Sequence, residues 1–394
     1  MLVQEKVRQA RALLAEFDID CWITFVRESE INGDPTLAFL LGSDVTWHSA
    51  FILTRHAGTA AIVGHYDRQT VEDTGAYDQV ISFVQDFKQP FLDLMRKIDP
   101  HQIAVNYSVG SEICDGLTHG MYLTLREYLA EIELADRLVS AEQLVSALRQ
   151  RKMPAELAAI REAIRHTEQI FDLVATYIRP GRTEIQIATF MQAEVARRGL
   201  DYAWAAKMCP AIFTGPNTAG AHYPPSGRVI EPGHVVNMDF GLRWDGYCSD
   251  LQRSFYVLRD GEIEAPAEVQ RGMATIVESI ARAYRTIRPG VRGLEVDRAC
   301  RDHLLAQGYE EFPAAVGHQV GRFAHDGTAL LGPAWEKYDR KPFQSLEPGM
   351  VFTLEPRLSV PEHGVVTVED MVLVTPEGAE YLSTPQTELI LVSP

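Results

Sequence analysis

Apolar and polar residues alternate with two different periods over residues 1–150 of the chain. Short apolar runs rich in β-branched and aromatic residues predict strands at Cys21–Val26, Ser49–Thr54, Gly58–His65, Gln79–Val84 and Gln102–Tyr107. Helical periods lie between several of these runs, at Arg68–Thr74, Pro90–Ile98 and Tyr122–Leu134. This alternation predicts an α/β domain over residues 1–150, followed by a second domain over 151–394 that begins with a long helical pattern.

The second domain contains an internal repeat. The sequence IRPG at Ile178–Gly181 recurs at Ile287–Gly290, and a helical pattern that ends at a glycine follows each copy. The sequence EPGHVVNMD at Glu231–Asp239 recurs as EPGMVFTLE at Glu347–Glu355, with a similar offset. The same order of helix, Pro-Gly turn, helix, Pro-Gly turn and strand therefore occurs twice, which predicts a duplicated α+β unit with pseudo-two-fold symmetry.

A pair of aspartates frames the repeated strand of the first half. Asp239 ends the strand, and Asp250 follows across a turn that contains the hairpin signal Asp245-Gly246. Because the separation of Asp239 and Asp250 is odd, a two-residue turn places both side chains on one face, directly opposed or one diagonal step apart. A hairpin with two exposed aspartates is the alternative, but the apolar run before Asp239 favours a buried carboxylate that needs a cation or hydrogen-bond donors.

The second half repeats this arrangement with glutamates. Glu355 ends its strand, and Glu369 lies on the return strand across a turn that contains His363-Gly364. Because their separation is even, we expect a bulged turn of odd length with both carboxylates near one face. Between the halves, His318 lies in the sequence GHQVG, whose glycines allow close backbone approach to a site.

These residues form a candidate metal-binding set. A lone histidine is more often a core or surface residue than a metal ligand. His318 together with two aspartates and two glutamates predicts a ligand. Five oxygen and nitrogen ligands without a thiolate suit two divalent ions, which we expect to be Mn²⁺, with Co²⁺ or Zn²⁺ as substitutes. Two such ions support the hydrolysis of an amide bond.

Composition excludes several other classes of function. The 394 residues include 37 Lys and Arg against 54 Asp and Glu, and the net charge of −17 excludes a basic nucleic-acid-binding surface. No stretch approaches the ~18 consecutive apolar residues of a membrane span, and the N-terminus has an amphipathic helix pattern where a signal peptide has an apolar run. We therefore expect a cytoplasmic protein with no membrane partner. The five cysteines lie far apart without a Cys-x-x-Cys pair, so neither a disulfide framework nor a thiolate zinc site is predicted.

The ordered set Asp239, Asp250, His318, Glu355 and Glu369 resembles the ligand pattern of the pita-bread-fold metallohydrolases. That group includes methionine aminopeptidase, prolidase, aminopeptidase P and creatinase. The resemblance covers about residues 150–390, and residues 1–150 are similar in size and pattern to the N-terminal domain of the last three enzymes. It implies a creatinase-like α/β domain, a pita-bread catalytic domain with two pseudo-symmetric halves, and a homodimer.

The resemblance also implies roles for the ligands. Asp250 and Glu369 would bridge two metal ions, Asp239 would chelate one ion, and His318 and Glu355 would hold the other. Glu355 is similar in position to the proton shuttle of the family.

Two further histidines match positions where the family has substrate-contacting histidines. His222 precedes Asp239 in the segment AHYP, and His325 follows His318 closely. The alternatives are a loop residue for His222 and a surface pair with Asp326 for His325.

Several positions depart from the proline-specific members of the family. After Glu355, Arg357 and Ser359 stand where those members have a glycine and a tyrosine. Thr367, two residues before Glu369, replaces an arginine, and Ala329 stands at the position of a carboxylate-binding arginine. Any cation for a substrate carboxylate would then come from elsewhere. The candidates are Lys337, Arg340, Lys341 and Arg357, or a cation from the N-terminal domain of a partner chain.

The resemblance implies hydrolysis of the amide bond before proline in small peptides, by an Xaa-Pro dipeptidase or an Xaa-Pro aminopeptidase, with the dipeptidase as our first expectation. One alternative is a hydrolase of a non-peptide amide on the same fold, like creatinase or ectoine hydrolase. Creatinase has lost the metal ligands, and all five are present here. The other alternative is a catalytically silent binding protein, although such relatives typically lose ligands.

Overall fold

A computed structural model describes residues 2–216, 218 and 223–393. These residues form two compact units, one ending at Arg149 and the other beginning at Gln150. The strands of the first unit are β1 (Cys21–Val26), β2 (Ser49–Thr54), β3 (Thr59–Gly64), β4 (Gln79–Phe83), β5 (Ile103–Val105) and β6 (Leu138–Ser140). Its helices are α1 (Leu2–Glu16), α2 (Leu37–Leu40), α3 (Arg68–Thr74), α4 (Lys88–Ile98), α5 (His119–Ala130) and α6 (Glu142–Gln150).

The six strands form one mixed sheet in the order β4-β3-β2-β1-β5-β6. The pairs β1–β2 and β2–β3 are antiparallel and the others are parallel. Side chains of β1 alternate between the two faces: Cys21, Ile23 and Phe25 pack with α4 and α5, whereas Trp22 packs with α1 and α6. Helices on both faces of the sheet confirm the predicted α/β class.

The expected elements of the first unit differ from the structure at α5, and α2, α6 and β6 were not predicted. Helix α5 begins earlier than predicted, at His119, because the hydroxyl of Thr118 accepts a hydrogen bond from the backbone N–H of Met121 and caps it. The helix ends at Ala130, and Glu133 beyond it has a left-handed backbone (φ 60°). Strand β6 was not predicted, since its short run of half-buried residues shows no period.

The second unit holds four helices and the remaining strands in the described part of the chain. The helices are α7 (Pro154–Tyr177), α8 (Glu184–Arg197), α9 (Ala267–Thr286) and α10 (Gly293–Ala306). The strands are β7 (Asp201–Tyr202), β8 (Ala211–Thr214), β9 (Val235–Phe240), β10 (Leu242–Trp244), β11 (Tyr247–Cys248), β12 (Leu251–Val257), β13 (Gly317–His318), β14 (Leu330–Leu331), β15 (Val351–Leu354), β16 (Arg357–Val360), β17 (Gly364–Thr367), β18 (Asp370–Val374), β19 (Ala379–Tyr381) and β20 (Ile390–Val392). No helix among the described residues is both long and apolar enough to cross a membrane.

The internal repeat is present in the folded chain. Helices α8 and α10 have the same length and begin at equivalent positions after the two IRPG sequences. The N–H of Gly181 donates to the carbonyl of Ile230, and the N–H of Gly290 donates to that of Leu346, each at 2.9 Å. Both glycines adopt a left-handed backbone (φ 84° and 86°), which explains why the turn keeps glycine in each copy. These matching contacts confirm the duplicated α+β unit.

Strand β16 separates an apolar face from a polar one in the second half. Leu358 and Val360 are buried in the core and lie beside Gly272 of α9, where an added Cβ would come within 3.2 and 3.0 Å of their side chains. Successive side chains in a strand point to opposite faces. Arg357 and Ser359 therefore face away from α9, and neither is fully buried.

Candidate metal centre

The strand register fixes the positions of the two aspartates. Strands β9 and β12 are antiparallel with Asp239 opposite Gln252, and the connecting hairpin keeps the same register through a two-residue turn. The turn residues Asp245 and Gly246 both have positive φ values (47° and 78°), as the sequence signal requires. Asp250 is two residues from Gln252, so the two aspartates lie one diagonal step apart, and Asp250 is only 5% exposed.

The two glutamates lie more directly opposite each other. Strands β15 and β18 pair Leu354 with Asp370, and β16 and β17 continue the same register. That register brings Glu355 opposite Glu369. The turn between β16 and β17 has three residues, an odd number as the spacing predicts, with a positive φ (64°) at Glu362.

Gln252 joins the two hairpins. Its backbone exchanges two hydrogen bonds with Glu369, at 3.3 and 3.2 Å. Its side-chain Nε2 donates to Glu369 Oε2 at 2.8 Å and to Glu355 Oε2 at 3.4 Å. The acids of both halves therefore meet at the junction between the halves. The sequence analysis did not single out Gln252, although its position two residues after Asp250 places it on the same strand face.

His318 lies against the same carboxylates. Its Nε2 is 3.2 Å from Glu355 Oε1, 3.7 Å from Asp250 Oδ2 and 4.0 Å from Glu369 Oε1. The preceding Gly317 makes this approach possible, because a Cβ at that residue would lie 1.9 Å from the carbonyl oxygen of Thr353. The close backbone approach expected from the glycines around His318 is thus observed.

Burial and mutual repulsion control the protonation of this cluster. Burial raises the pKa values of Asp239, Asp250 and Glu369, and neighbouring carboxylates raise them further. For Asp250 the pKa is raised to about 7, because burial outweighs the opposing charge of His318. Burial lowers the pKa of His318, but the hydrogen bond and charge of Glu355 outweigh it and the pKa is raised to about 9.

The donor set fits a divalent cation. Ligand atoms of Asp250, His318 and Glu369 all lie within 4.8 Å of one another. Asp239 Oδ1 is buried and accepts no hydrogen bond from the described residues. A buried carboxylate oxygen without a donor is costly unless a cation faces it. With oxygen and imidazole donors and no thiolate, the cluster suits Mn²⁺, Co²⁺ or Zn²⁺.

The structure describes one of the two histidines that are predicted to contact substrate. The ring of His325 lies 4.1 Å from that of His318, edge to face, so it borders the cluster. His222 lies outside the described residues. Of the cations predicted to hold a substrate carboxylate, Arg357 interacts electrostatically with Glu355 and Asp239.

Gln252→Leu is expected to weaken divalent-metal binding by roughly 10- to 100-fold, the usual effect of removing a hydrogen-bond donor behind a ligand. Leucine keeps most of the volume but leaves Glu369 and Glu355 without the amide. Gln386→Leu is the matched control, because the side chain of Gln386 bonds backbone groups: it donates to the carbonyls of Ser254 and Glu388 and accepts from the N–H of Ser254. Competition with a chelating dye measures both affinities, and equal values for the two variants would contradict this role.

Comparisons with known proteins identify the family to which the chain belongs. The chain is 28% identical over 279 residues to the uncharacterized peptidase YqhT of Bacillus subtilis (strain 168), and the match spans 71% of this chain and 73% of that protein. An Xaa-Pro dipeptidase structure from Bacillus anthracis matches with a TM-score of 0.75 at 23% identity, covering 99% of this chain and 100% of that one.

An X-Pro aminopeptidase structure from Thermotoga maritima MSB8 matches with a TM-score of 0.72 at 22% identity, over 98% and 99% of the two chains. These matches over the whole length confirm the predicted fold, a creatinase-like α/β domain followed by a pita-bread domain. The sequence profile of metallopeptidase family M24 matches residues 158–376, more than half of the chain. The protein is therefore a member of metallopeptidase family M24, whose peptidases use divalent metal ions.

Proposed function

We propose that this peptidase hydrolyses the amide bond before proline in small peptides, with two divalent metal ions per chain. The proposed ligands are Asp239, Asp250, His318, Glu355 and Glu369. Their convergence at the junction of the two halves is the observation that carries the proposal. The proposal includes Mn²⁺ as the metal and a homodimer located in the cytoplasm. Analytical ultracentrifugation of the metal-loaded protein would measure the mass of the dimer.

The geometry supports the division of ligands implied by the family. His318 and Glu355 are the closest pair, at 3.2 Å, and suit one ion. Asp239 lies one diagonal step from Asp250. Its Oδ1 accepts no hydrogen bond from the described residues and is available to a second ion. Asp250 and Glu369 are the most buried of the four proposed acid ligands and lie within reach of both groups, as bridging carboxylates should.

The exposure of the acids distinguishes their chemical roles. The side chain of Glu355 is 23% exposed, against 7% for Asp250 and 1% for Glu369. Glu355 is therefore better able than Asp250 or Glu369 to meet substrate and to accept a proton from the attacking water. Two bound divalent ions would polarise the scissile carbonyl and lower the pKa of that water.

Proline specificity rests on the leaving group. The amide before proline is tertiary and has no N–H, so its nitrogen must receive a proton as the bond breaks. His325, beside His318, is suited to this step, and His222 is the second candidate. The similarity to structures named as an Xaa-Pro dipeptidase and an X-Pro aminopeptidase supports this choice of substrate.

A substrate panel tests the proposed function. We expect Xaa-Pro dipeptides or Xaa-Pro-Xaa tripeptides to be cut at least about tenfold faster than non-proline dipeptides, with the highest rates after loading with Mn²⁺ rather than Co²⁺ or Zn²⁺. Creatine and ectoine should remain intact. Turnover is followed by the release of proline or of the N-terminal residue.

Each alternative has its own result in this panel. Hydrolysis of creatine or ectoine alone would identify a non-peptide amidase and reject the proposal. A protein that binds metal but cuts nothing would fit the binding-protein alternative. Faster cleavage of non-proline dipeptides would leave a metallopeptidase but remove its proline specificity.

A further inference from the structure

Arg357 occupies an unusual position beside the metal centre. It begins β16 two residues after Glu355 and pairs across the hairpin with Thr367. The next residue, Leu358, is buried on the α9 side of the strand, so Arg357 faces the opposite side. Its partner Thr367 carries no charge and is buried, and its hydroxyl lies 3.5 Å from Gln252 Oε1. The strand pair thus provides a guanidinium and no counter-ion.

The surroundings of the guanidinium are largely apolar on one side. Its central carbon lies 5.9 Å from the ring centroid of Phe213 on β8. The carboxylates of Glu355 and Asp239, two of the proposed ligands, are the charged groups that act on the guanidinium. No described residue forms an ion pair or hydrogen bond with its side chain.

Arg357 differs in its contacts from Arg253, a buried arginine near the same carboxylates. Arg253, one residue after Gln252, donates to the carbonyls of Gln252, Glu369 and Thr384 and pairs with Asp370 at 3.1 Å. Arg357 has five N–H donors and a partly desolvated charge. Its nitrogens are not sealed from solvent, so these donors remain open to an incoming anion.

The other cations near this segment are less suited to that ligand. Lys337 donates to the carbonyl of Pro313 at 3.1 Å and lies over the rings of Trp335 and Tyr338, at 4.9 and 4.8 Å. Arg340 is exposed to solvent. Neither lies, as Arg357 does, two residues along the chain from a proposed metal ligand.

We propose that Arg357 binds the C-terminal carboxylate of a dipeptide substrate and so makes the enzyme a dipeptidase. The inference rests on the proposed function. In a dipeptide, only one residue separates the scissile carbonyl from the carboxylate, a span of about 4 Å between successive Cα atoms. Arg357 is two residues from Glu355 along the chain, and its planar fork suits bidentate binding of a carboxylate.

The test compares a dipeptide with its C-terminal amide. For the unmutated, metal-loaded enzyme we expect kcat/KM for Ala-Pro to exceed that for Ala-Pro-amide by roughly 10- to 100-fold, the effect of one charge-assisted hydrogen-bond pair. Arg357→Gln should remove this preference mainly by raising KM for the acid, since a contact away from the scissile bond binds ground state and transition state alike. Arg357→Lys should keep part of it. Arg340→Gln is the matched control and should keep all of it.

Two results would overturn the proposal. Equal kcat/KM for acid and amide in the unmutated enzyme would favour an aminopeptidase. An equal loss for both substrates in Arg357→Gln would show that the arginine positions Glu355 instead of binding substrate.

Failure of the proline assignment gives a different pattern. If the enzyme cuts Ala-Ala and not Ala-Pro, the proposed function fails, and Ala-Ala with its amide provides the same test of Arg357. Calorimetric binding of proline and prolinamide to the loaded protein needs no turnover. Tighter binding of proline, lost in Arg357→Gln and kept in Arg340→Gln, supports the proposal, and equal binding of the two ligands rejects it.

Discussion

Glu369→Gln is expected to reduce turnover by about 10³-fold or more and to lower the bound metal from two equivalents per chain to one or fewer. Glutamine has the same shape, so the fold should persist, but the charge that neutralises both cations is lost. Removing one partner of a buried charge pair costs about 3–5 kcal/mol, which corresponds to this loss. Elemental analysis after metal loading and desalting, together with kcat for Ala-Pro, measures both effects.

Two controls separate ligands from substrate contacts. Glu380→Gln changes an exposed glutamate that pairs with Arg161 at 2.8 Å, and it should keep both metal and turnover. His325→Ala and His222→Ala should each keep two equivalents of metal per chain and reduce turnover by about 10²-fold. If a histidine variant lost metal as completely as Glu369→Gln, the assignment of that histidine to substrate would be wrong. A stoichiometry near zero in the unmutated protein would reject the metal centre.

The stabilisation by Mn²⁺ is expected to be larger at pH 8 than at pH 6. In the metal-free protein the pKa of Asp250 is raised to about 7 and that of His318 to about 9. The folded chain therefore holds protons that the unfolded chain has released, from about pH 4 to 7 for Asp250 and from about pH 6.5 to 9 for His318. Stability of the metal-free protein falls as pH rises through these windows.

Metal binding displaces the protons, so its benefit grows with pH. For a unit of this size each kcal/mol moves Tm by about 2–4 °C, and we expect the increase of Tm on Mn²⁺ addition to be roughly 5 °C greater at pH 8. Calorimetric scans with and without Mn²⁺ at the two pH values measure it. Asp34, Asp297 and Asp370 also have raised pKa values, but they affect both forms equally and cancel. A smaller metal effect at pH 8 would contradict the assignment, and Asp250→Asn should reduce the difference.

Much of the fold could be predicted because its signals are local. Periods of two and 3.6 residues locate the strands and helices of the first unit, and the recurring IRPG and EPG sequences reveal the duplication. Strand β6 was missed, because its few half-buried residues carry no period and the strand exists only through its pairing with β5. The start of α5 depends on the cap at Thr118, which outweighs the apolar pattern.

The candidate site was only partly predictable. Odd and even spacings show which faces Asp239 and Asp250 share, but they leave open whether the pair is opposed or diagonal. That choice follows from the register in which Gln252 faces Asp239. The contact from Gln252 to Glu369 spans 117 residues, and no local pattern contains it. Arg357 was one of four candidate cations in the sequence, and only its packing over Phe213 and the field of Glu355 distinguish it.

The link between Gln252 and Glu369 also has a consequence for biosynthesis. A ribosome adding about 5–20 residues per second needs on the order of ten seconds to make the 117 residues that separate them. During that interval Asp239 and Asp250 have left the ribosome's catalytic centre, while Glu369 has not yet been translated. A high-affinity centre therefore cannot form on the emerging first half. Metal is acquired by a chain that already contains both halves, so the supply of divalent metal matters at the end of translation and not during it.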